Sequence, residues 1–405
     1  MNPGFYIILT AQFLSALADN ALLFAAIALL RDLSSPAWHT PVLQQSFIVS
    51  YIVLAPFVGA FADSLPKGRV MFISNIIKLA GCVAMLAGVH PLLAYGLVGL
   101  GAAAYSPAKY GILAEYLPPG QLVKANGWME GLTVAAIVLG AVIGGILISP
   151  TLATPLLQTL NIPLIDSAAQ LAIAIIVLIY IAAAIFNLYI PYVAIDHKPL
   201  SRNPIFLSKD FWHCFRLLWK DPLGQVSLAV TTLFWGAGAT LRLVVLAWAA
   251  IALHYDFSAA AKLTAWVAIG IAIGSVLAAK FIKLEHSVKV LPVGIAMGIF
   301  VLMMIPVTNS TLAILLLIAI GAMGGYFVVP MNALLQHRGH LLMGAGRSIA
   351  VQNFNENLSI FAMLGLYAVM QKLDFSIYLI ILVFGLLLSG IMAALYKKHG
   401  HDRYM

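Results

Sequence analysis

Residues 168–190 read AAQLAIAIIVLIYIAAAIFNLYI, a stretch without a charged residue that is long enough to cross a bilayer as one helix. Similar runs recur along the whole chain of 405 residues, of which 62% are hydrophobic and 9% are charged. A soluble domain carries about 25% charged residues, so this composition disfavours a soluble helical protein. Because backbone amides in lipid must be hydrogen-bonded within their own segment, the runs are expected to be helices.

Twelve such runs are expected to span the membrane. They are 4–30, 43–62, 70–89, 91–112, 126–148, 168–190, 224–250, 259–281, 290–306, 311–333, 348–370 and 375–396. The first lacks the basic segment and cleavage site of a signal peptide and is expected to be retained. Cys82 and Cys214 form no CxxC pair, so no disulfide, metal site or cofactor is expected.

The chain is expected to divide into two six-helix halves, residues 1–190 and 224–405, joined by a cytoplasmic loop over 191–223. A weak internal repeat supports this division, since one alignment places Pro107 on Pro330 and Asp19 on Arg242. The loop interleaves bases with aromatic residues, which suits either a helix on the membrane surface or a plain linker. Its bases are Lys198, Arg202, Lys209, Arg216 and Lys220.

Six ionisable residues lie within the apolar runs, two of them near the end of a run: Asp19, Lys78, Lys109, Glu130, Arg242 and Glu356. A charge at the centre of a spanning helix costs roughly 2.5–3.5 kcal/mol, so each should face a cavity or a partner. Lys109 and Glu130 lie near run ends, where partial hydration is expected. Three acids and three bases suit a ligand with a phosphate and an amine, and they equally suit three ion pairs between helices. Asn20 and Gln352 are candidate amide ligands of the same substrate.

The segment GAFADSLPKGR follows the second run and extends from Gly59 to Arg69. It resembles the signature loop of the major facilitator superfamily, G-x-x-x-D-x-x-G-R. Gly59 and Asp63 have the superfamily spacing, whereas two additional residues separate Asp63 from Gly68 and Arg69. The resemblance implies a gating role for these four residues. It also implies an all-α membrane protein with twelve transmembrane helices in two six-helix pseudo-repeats.

Longer strings, in order over almost the whole chain, resemble the bacterial lysophospholipid transporter family. They are AQFLSALADNALLFA, APFVGAFADS with KGRV, GAAAYSPAKYGIL, LVKANG, LFWGAGATLR, GGYFVVPMNALLQHRG and GAGRSIAVQNFNEN. The resemblance implies a flippase that moves lysophosphatidylethanolamine-type lipids from the outer to the inner leaflet of the bacterial inner membrane. A separate acyltransferase would then re-acylate them. Asp19, Lys109 and Arg242 fall within these strings and are therefore favoured as substrate or gating residues.

Two other classes of function compete with this interpretation. A proton-coupled exporter of drugs or small metabolites would use Asp19, Glu130 or Glu356 as its titrating acid. A membrane-bound enzyme is disfavoured because the sequence has no HExxH motif, no GxSxG motif and no cluster of histidines.

The net charge of +8 is explained by membrane topology without a nucleic-acid partner. If both termini are cytoplasmic, 17 of the 22 lysines and arginines lie in inside loops, at the inside ends of runs or in the C-terminal tail. Reporter domains fused after Lys398 and within residues 191–222 should therefore both give cytoplasmic signals. A periplasmic signal at either position would overturn this topology.

Overall fold

The computed structural model describes residues 3–36, 39–160, 165–193, 200–201, 203–255 and 257–400, and the regular secondary structure in these ranges is entirely helical. Two short 3-10 helices cover Pro119–Gln121 and Leu284–Val290. The α-helices are α1 (Pro3–Asp32), α2 (His39–Ser64), α3 (Lys67–Leu86), α4 (Pro91–Tyr116), α5 (Leu122–Leu147), α6 (Pro150–Leu160), α7 (Ala168–Leu188), α8 (Pro204–Lys220), α9 (Pro222–Ala252), α10 (Phe257–Phe281), α11 (Leu291–Leu302), α12 (Ser310–Leu342), α13 (Ala345–Lys372) and α14 (Ile377–His399).

Each of the predicted runs corresponds to one helix, and every end except the C-terminal end of α12 agrees within four residues. The helix α11 ends at Leu302, four residues before the predicted end, because the chain turns ahead of Pro306, which has no amide hydrogen. The helix α12 continues beyond the predicted residue 333 to Leu342. It ends just before Gly344, whose φ of 106° is a conformation typical of glycine after a helix.

Ten helical segments in the described residues are long and apolar enough to cross a membrane, judged by length and composition. The predicted runs that correspond to α4 and α13 fall outside this set. The helix α4 is rich in glycine, alanine and tyrosine, and α13 carries a polar stretch from Gln352 to Asn357. Neither helix meets the apolarity that the other ten segments reach, although each is longer than 25 residues.

Two helices were not among the predicted runs. The helix α6 follows α5, and α8 lies in the loop between the predicted halves. On α8, Leu207, Phe211, Cys214 and Leu218 are buried at helical spacing, so the loop contains a helix with an apolar packing face. Lys198 and Arg202 of the same loop lie outside the described residues.

The helices group into two compact units. Unit one comprises Met1–Tyr116, Ala135–Cys214 and Met343–Asn353, and unit two comprises Leu117–Val134, Phe215–Leu342 and Phe354–Met405. Within unit one, α1 packs on α7, and α4 packs on both α2 and α3. These contacts bury an apolar core that includes Leu22, Tyr95 and Ile176. Unit one therefore has its own apolar core, and a polar side chain buried in it must form a hydrogen bond or an ion pair to be stable.

Within unit two, α10 and α12 pack closely along a seam of glycines. A Cβ atom added to Gly274 would collide with the backbone oxygen of Ala322, and one added to Gly325 would collide with that of Ile271. Small residues let helix backbones approach in this way, and no larger side chain fits at these positions.

Gly274→Ala should destabilise the protein by about 1–3 kcal/mol, because the added methyl group has no space in the seam. Gly145→Ala is the matched control, since a Cβ atom at Gly145 meets nothing within 4 Å. Alanine is a better helix former than glycine, so the control should be neutral or slightly stabilising. Thermal unfolding in detergent measures both, and equal unfolding midpoints would show that the seam is not tight.

Candidate functional site

A polar pocket lies inside unit one, where α1, α2, α3 and α4 contribute to its lining. Its cavity volume is about 70 Å³. The fold thus brings together three of the predicted binding residues, Asp19, Lys78 and Lys109. The other polar side chains of the lining are Gln12, Ser15, Tyr51, Tyr105 and Ser106.

Lys78 and Asp19 form an ion pair in this pocket. The Lys78 Nζ lies 2.8 Å from Asp19 Oδ2, and the two side chains are 1% and 21% exposed, respectively. A lysine is almost never buried to this extent unless a partner balances its charge. Ion pairing, which the sequence left open as an alternative to ligand binding, is therefore present for these two residues.

Hydrogen bonds from other helices hold the ion pair in place. Ser15 Oγ accepts a hydrogen bond of 3.0 Å from Lys78 Nζ and donates one of 2.8 Å to Asn75 Oδ1. Tyr180 on α7 donates through its hydroxyl to Asp19 Oδ1 at 2.6 Å. Both oxygens of the Asp19 carboxylate therefore have a donor, and α1, α3 and α7 are connected at one point.

Two aromatic rings complete the surroundings of the Lys78 ammonium. Its Nζ lies 4.6 Å from the ring centroid of Tyr105 and 5.7 Å from that of Tyr180, and both tyrosines are buried. Cations within about 6 Å of a ring face are attracted by its negative π-cloud. One carboxylate, one hydroxyl and two ring faces therefore bind this ammonium.

Two other predicted residues of unit one have different surroundings. Lys109 lines the pocket and is half-buried, and its ammonium lies 4.4 Å from the ring centroid of Tyr110. Asn20 donates a hydrogen bond of 2.8 Å to the carbonyl oxygen of Ala16 on its own helix and does not line the pocket.

The signature loop places Asp63 against the first turn of α13, within unit one. Asp63 accepts hydrogen bonds from the backbone amides of Gly346 at 2.7 Å and Arg347 at 3.0 Å. The carboxylate thereby satisfies amides that have no partner within the helix and compensates the positive end of the helix dipole. A Cβ atom at Gly59 would lie 2.9 Å from Arg347 Cα, so a glycine is required at this approach.

Lys67, which the sequence analysis did not select, is the lysine that pairs with Asp63. Its ammonium lies 3.0 Å from Asp63 Oδ1 and 2.9 Å from Glu115 Oε1, and the Lys67 side chain is 1% exposed. Because α3 begins at Lys67, Arg69 is rotated by roughly 200° around the helix and is exposed. Gly68 packs closely against the backbone oxygen of Asn187.

Arg347 extends the same group of charges towards α8. Its Nη1 lies 3.3 Å from Asp63 Oδ2, and its Nε lies 2.7 Å from Asp210 Oδ2. One carboxylate at the end of α2 is therefore connected to α3, α4, α8 and α13 through ion pairs and backbone hydrogen bonds.

In unit two, α5 and α12 are joined by a ladder of polar side chains. Asn126 and Gln336 exchange two hydrogen bonds of 2.8 Å, and one turn away Asn332 donates to Glu130 Oε1 at 3.2 Å. Glu130 is only 3% exposed, so the partial hydration predicted for it is wrong. Its position near a run end predicted contact with water, but α12 covers it. A Cβ atom at the intervening Gly127 would lie 2.9 Å from the carbonyl oxygen of Ser275.

The remaining predicted residues are distributed over α9 and α13. Arg242 is exposed on α9 in unit two, whereas Gln352 and Glu356 are buried on the parts of α13 that belong to units one and two, respectively. The structure therefore brings Asp19, Lys78 and Lys109 into one pocket, and it does not assign Arg242, Gln352 or Glu356 to that pocket.

Several residues of these polar groups were missed by the sequence analysis: Ser15, Lys67, Tyr105, Glu115, Tyr180, Asp210 and Arg347. Lys67 and Arg347 lie inside the KGRV and GAGRSIAVQNFNEN strings, which is the signal that could have identified them. The described residues contain no group of three histidine, cysteine, aspartate or glutamate side chains that could hold a metal ion.

Comparison with solved structures shows which fold these helices form. A bacterial homologue of the iron transporter ferroportin, crystallised in an outward-facing state, matches with a TM-score of 0.75 and 15% identity over 99% of this chain and 100% of that chain. A major facilitator superfamily transporter, FucP, in its outward conformation, matches with a TM-score of 0.73 and 12% identity over 99% and 98% of the two chains. At these identities the likeness concerns the fold alone.

Sequence comparisons are more specific. The family model for the Major Facilitator Superfamily matches residues 8–362. The lysophospholipid transporter LplT of Yersinia pestis (strain Pestoides F) is 47% identical over 367 residues, which are 90% of this chain and 86% of that protein. The protein of the same name from Yersinia pseudotuberculosis serotype O:3 (strain YPIII) matches equally well. The chain is therefore a multi-pass membrane transporter that belongs to the major facilitator superfamily and, within it, to the lysophospholipid transporter family.

Proposed function

We propose that this chain transports lysophospholipids of the lysophosphatidylethanolamine type from the outer to the inner leaflet of the bacterial inner membrane. Transport would occur by alternating access, with lateral entry of the substrate from the bilayer. The observation that carries the proposal is the pocket that combines Asp19 with Lys78 and Lys109 among apolar helices. The relatives named lysophospholipid transporters, at 47% identity, support this substrate class.

In the pocket, Lys78 and Lys109 with Asp19 offer both signs of charge that such a head group needs. A phosphate needs cations where water is scarce, and Lys109 and Arg242, followed by Lys78, are proposed to supply them. An ethanolamine ammonium needs a carboxylate, for which Asp19 and Glu130 are proposed. Asn20, Gln352 and Glu356 are proposed as further substrate-binding residues.

The acyl chain contributes affinity but little selectivity. Each CH₂ group that leaves water is worth about 0.8 kcal/mol, yet the surrounding membrane solvates a chain almost as well as a protein does. Selection among lipids must therefore come largely from the head group and from the volume available to the chain. A single-chain lipid fits this requirement, and a second chain would be excluded by volume.

The signature loop is proposed to control access to the pocket. Gly59, Asp63, Gly68 and Arg69 are its proposed gating residues, and the hydrogen bonds of Asp63 to the first turn of α13 support this role. Residues 1–190 and 224–405 are proposed as the two halves that alternate, with the cytoplasmic loop 191–223 between them. Both termini are proposed to be cytoplasmic, and a separate acyltransferase is proposed to consume the transported lipid.

Asp19→Asn and Arg242→Ala should each abolish lysophosphatidylethanolamine uptake, since each removes a charge that is proposed to bind or gate the substrate. Uptake into vesicles, normalised to the amount of inserted protein, measures the effect. Arg31→Ala is the matched control, because Arg31 is an exposed residue at the end of α1.

Normal uptake by both single variants would exclude these residues from the site. Recovery of uptake on exchanging the two charges would show instead that Asp19 and Arg242 act as a mutual ion pair. Asp19→Asn also leaves the buried Lys78 without its carboxylate, at a cost of about 3–5 kcal/mol, so folded protein must be quantified.

Reconstituted protein should transport lysophosphatidylethanolamine but neither its diacyl counterpart nor a fatty acid of equal chain length. The fatty acid lacks the phosphate that binds the lysines. The diacyl lipid carries a second chain, for which the proposed one-chain cavity has no room. Uptake of the three labelled lipids is compared in the same vesicles. Equal transport of the fatty acid would contradict recognition of phosphate, and equal transport of the diacyl lipid would contradict a one-chain cavity.

A further inference from the structure

The groups around Lys78 Nζ form a binding site for an ammonium that is complete without the rest of the lysine. Asp19 supplies a negative charge at 2.8 Å, Ser15 an acceptor oxygen at 3.0 Å, and Tyr105 a ring face at 4.6 Å. The ring of Tyr180 stands on a further side at 5.7 Å. Aromatic faces combined with an acceptor are the arrangement by which proteins bind amine ligands.

These groups do not distinguish a lysine from a small primary amine. Both carry one positive charge and three N–H donors on a saturated carbon. The site opens on the pocket that Lys109 also lines. An amine that enters this pocket therefore meets a site of the right chemistry that is already occupied by the chain's own ammonium.

We infer that Lys78 is a resident competitor for the amino group of the substrate. On binding, the ammonium of a phosphoethanolamine head group takes the place of Lys78 Nζ on Asp19 and against Tyr105. Lys78 in turn moves to the phosphate of the same head group. This inference rests on the proposed function and specifies how its site distinguishes one head group from another.

The exchange keeps every charge paired. Before binding, Lys78 balances Asp19; after it, the substrate amine balances Asp19 and the substrate phosphate balances Lys78. No buried ion is left without a counter-ion, which would be strongly destabilising. The lysine stem has four flexible carbons, so its ammonium can change partner without a change in the backbone.

A head group that lacks an amine cannot complete this exchange. Lysophosphatidylglycerol offers a phosphate but no ammonium, so displacing Lys78 would leave Asp19 without a cation. Lys78 then stays on Asp19, and the phosphate is left to the other bases. The ratio of lysophosphatidylethanolamine uptake to lysophosphatidylglycerol uptake therefore measures how far the ammonium site contributes to uptake.

The test measures the ratio of lysophosphatidylethanolamine uptake to lysophosphatidylglycerol uptake at equal acyl chain in reconstituted vesicles. In the Lys78→Met variant the substrate ammonium is the only ammonium that uses the site, so adding Tyr105→Leu, which removes the ring face, should lower the ratio about five- to tenfold. With Lys78 present, loss of the ring weakens both ammonium groups equally and should leave the ratio nearly unchanged. Tyr105→Phe added to Lys78→Met is the matched control, because it keeps the ring and should keep the ratio. Tyr189→Leu, which removes an exposed tyrosine at the end of α7, should also leave it unchanged.

Variants of the ion pair should shift the same ratio in opposite directions. Lys78→Met removes the competitor and should raise the ratio, whereas Asp19→Asn combined with Lys78→Met removes the site and should lower it. The double variant removes both charges of this pair, so neither is left without its partner and the variant remains measurable if Lys78→Met fails to fold. A purely structural role would lower the uptake of both lipids together and leave the ratio constant.

The outcomes separate the two proposals. If the unmodified protein transports neither lipid, the proposed function fails and this inference fails with it. If it transports both, and neither Lys78→Met nor the double variant of Asp19 and Lys78 changes the ratio, the proposed function stands and the inference is overturned. A raised ratio in Lys78→Met that Tyr105→Leu reduces and Tyr105→Phe does not supports it, and so does a lowered ratio in the double variant.

Discussion

Lys78 and Asp19 balance one another inside unit one, where the lysine is almost completely buried, and much of the unit is organised around them. The pair fixes the rotation of α1 and α3 about their axes, because each side chain must point at the other. Tyr180 adds α7 to the same contact through its hydrogen bond to Asp19. The apolar faces of these helices can slide on one another at little cost, whereas the ion pair permits one register only.

The same requirement explains how much of the molecule could be predicted from the sequence. Lipid imposes length and composition on a spanning helix, so residues 168–190 were sufficient to predict α7. A charge in an apolar run is conspicuous, and for that reason Asp19 and Lys78 were selected. Their tyrosine partners were not, since a tyrosine in an apolar helix is unremarkable until its ring is found beside an ammonium.

Two other residues show where sequence patterns stop being informative. The signature pattern emphasised Arg69, but the point at which α3 begins decides which base faces inwards, and that base is Lys67. Asp63 was predicted from its spacing, whereas its partners at the start of α13 are nearly 300 residues away along the chain. No local pattern contains such a contact, because it exists only after the helices have packed.

The reciprocal hydrogen bonds of Asn126 also bear on the chemical durability of the protein. Asn126 is followed by Gly127, and an Asn-Gly sequence is prone to deamidation when the backbone is free to bend into a five-membered succinimide ring. Here the backbone of both residues is helical, because they lie within α5, and the side-chain amide of Asn126 exchanges two hydrogen bonds with Gln336. The carbonyl oxygen of Ser275 packs closely against Gly127. The packing that joins α5 to α12 therefore also preserves an asparagine that would age quickly in a flexible loop.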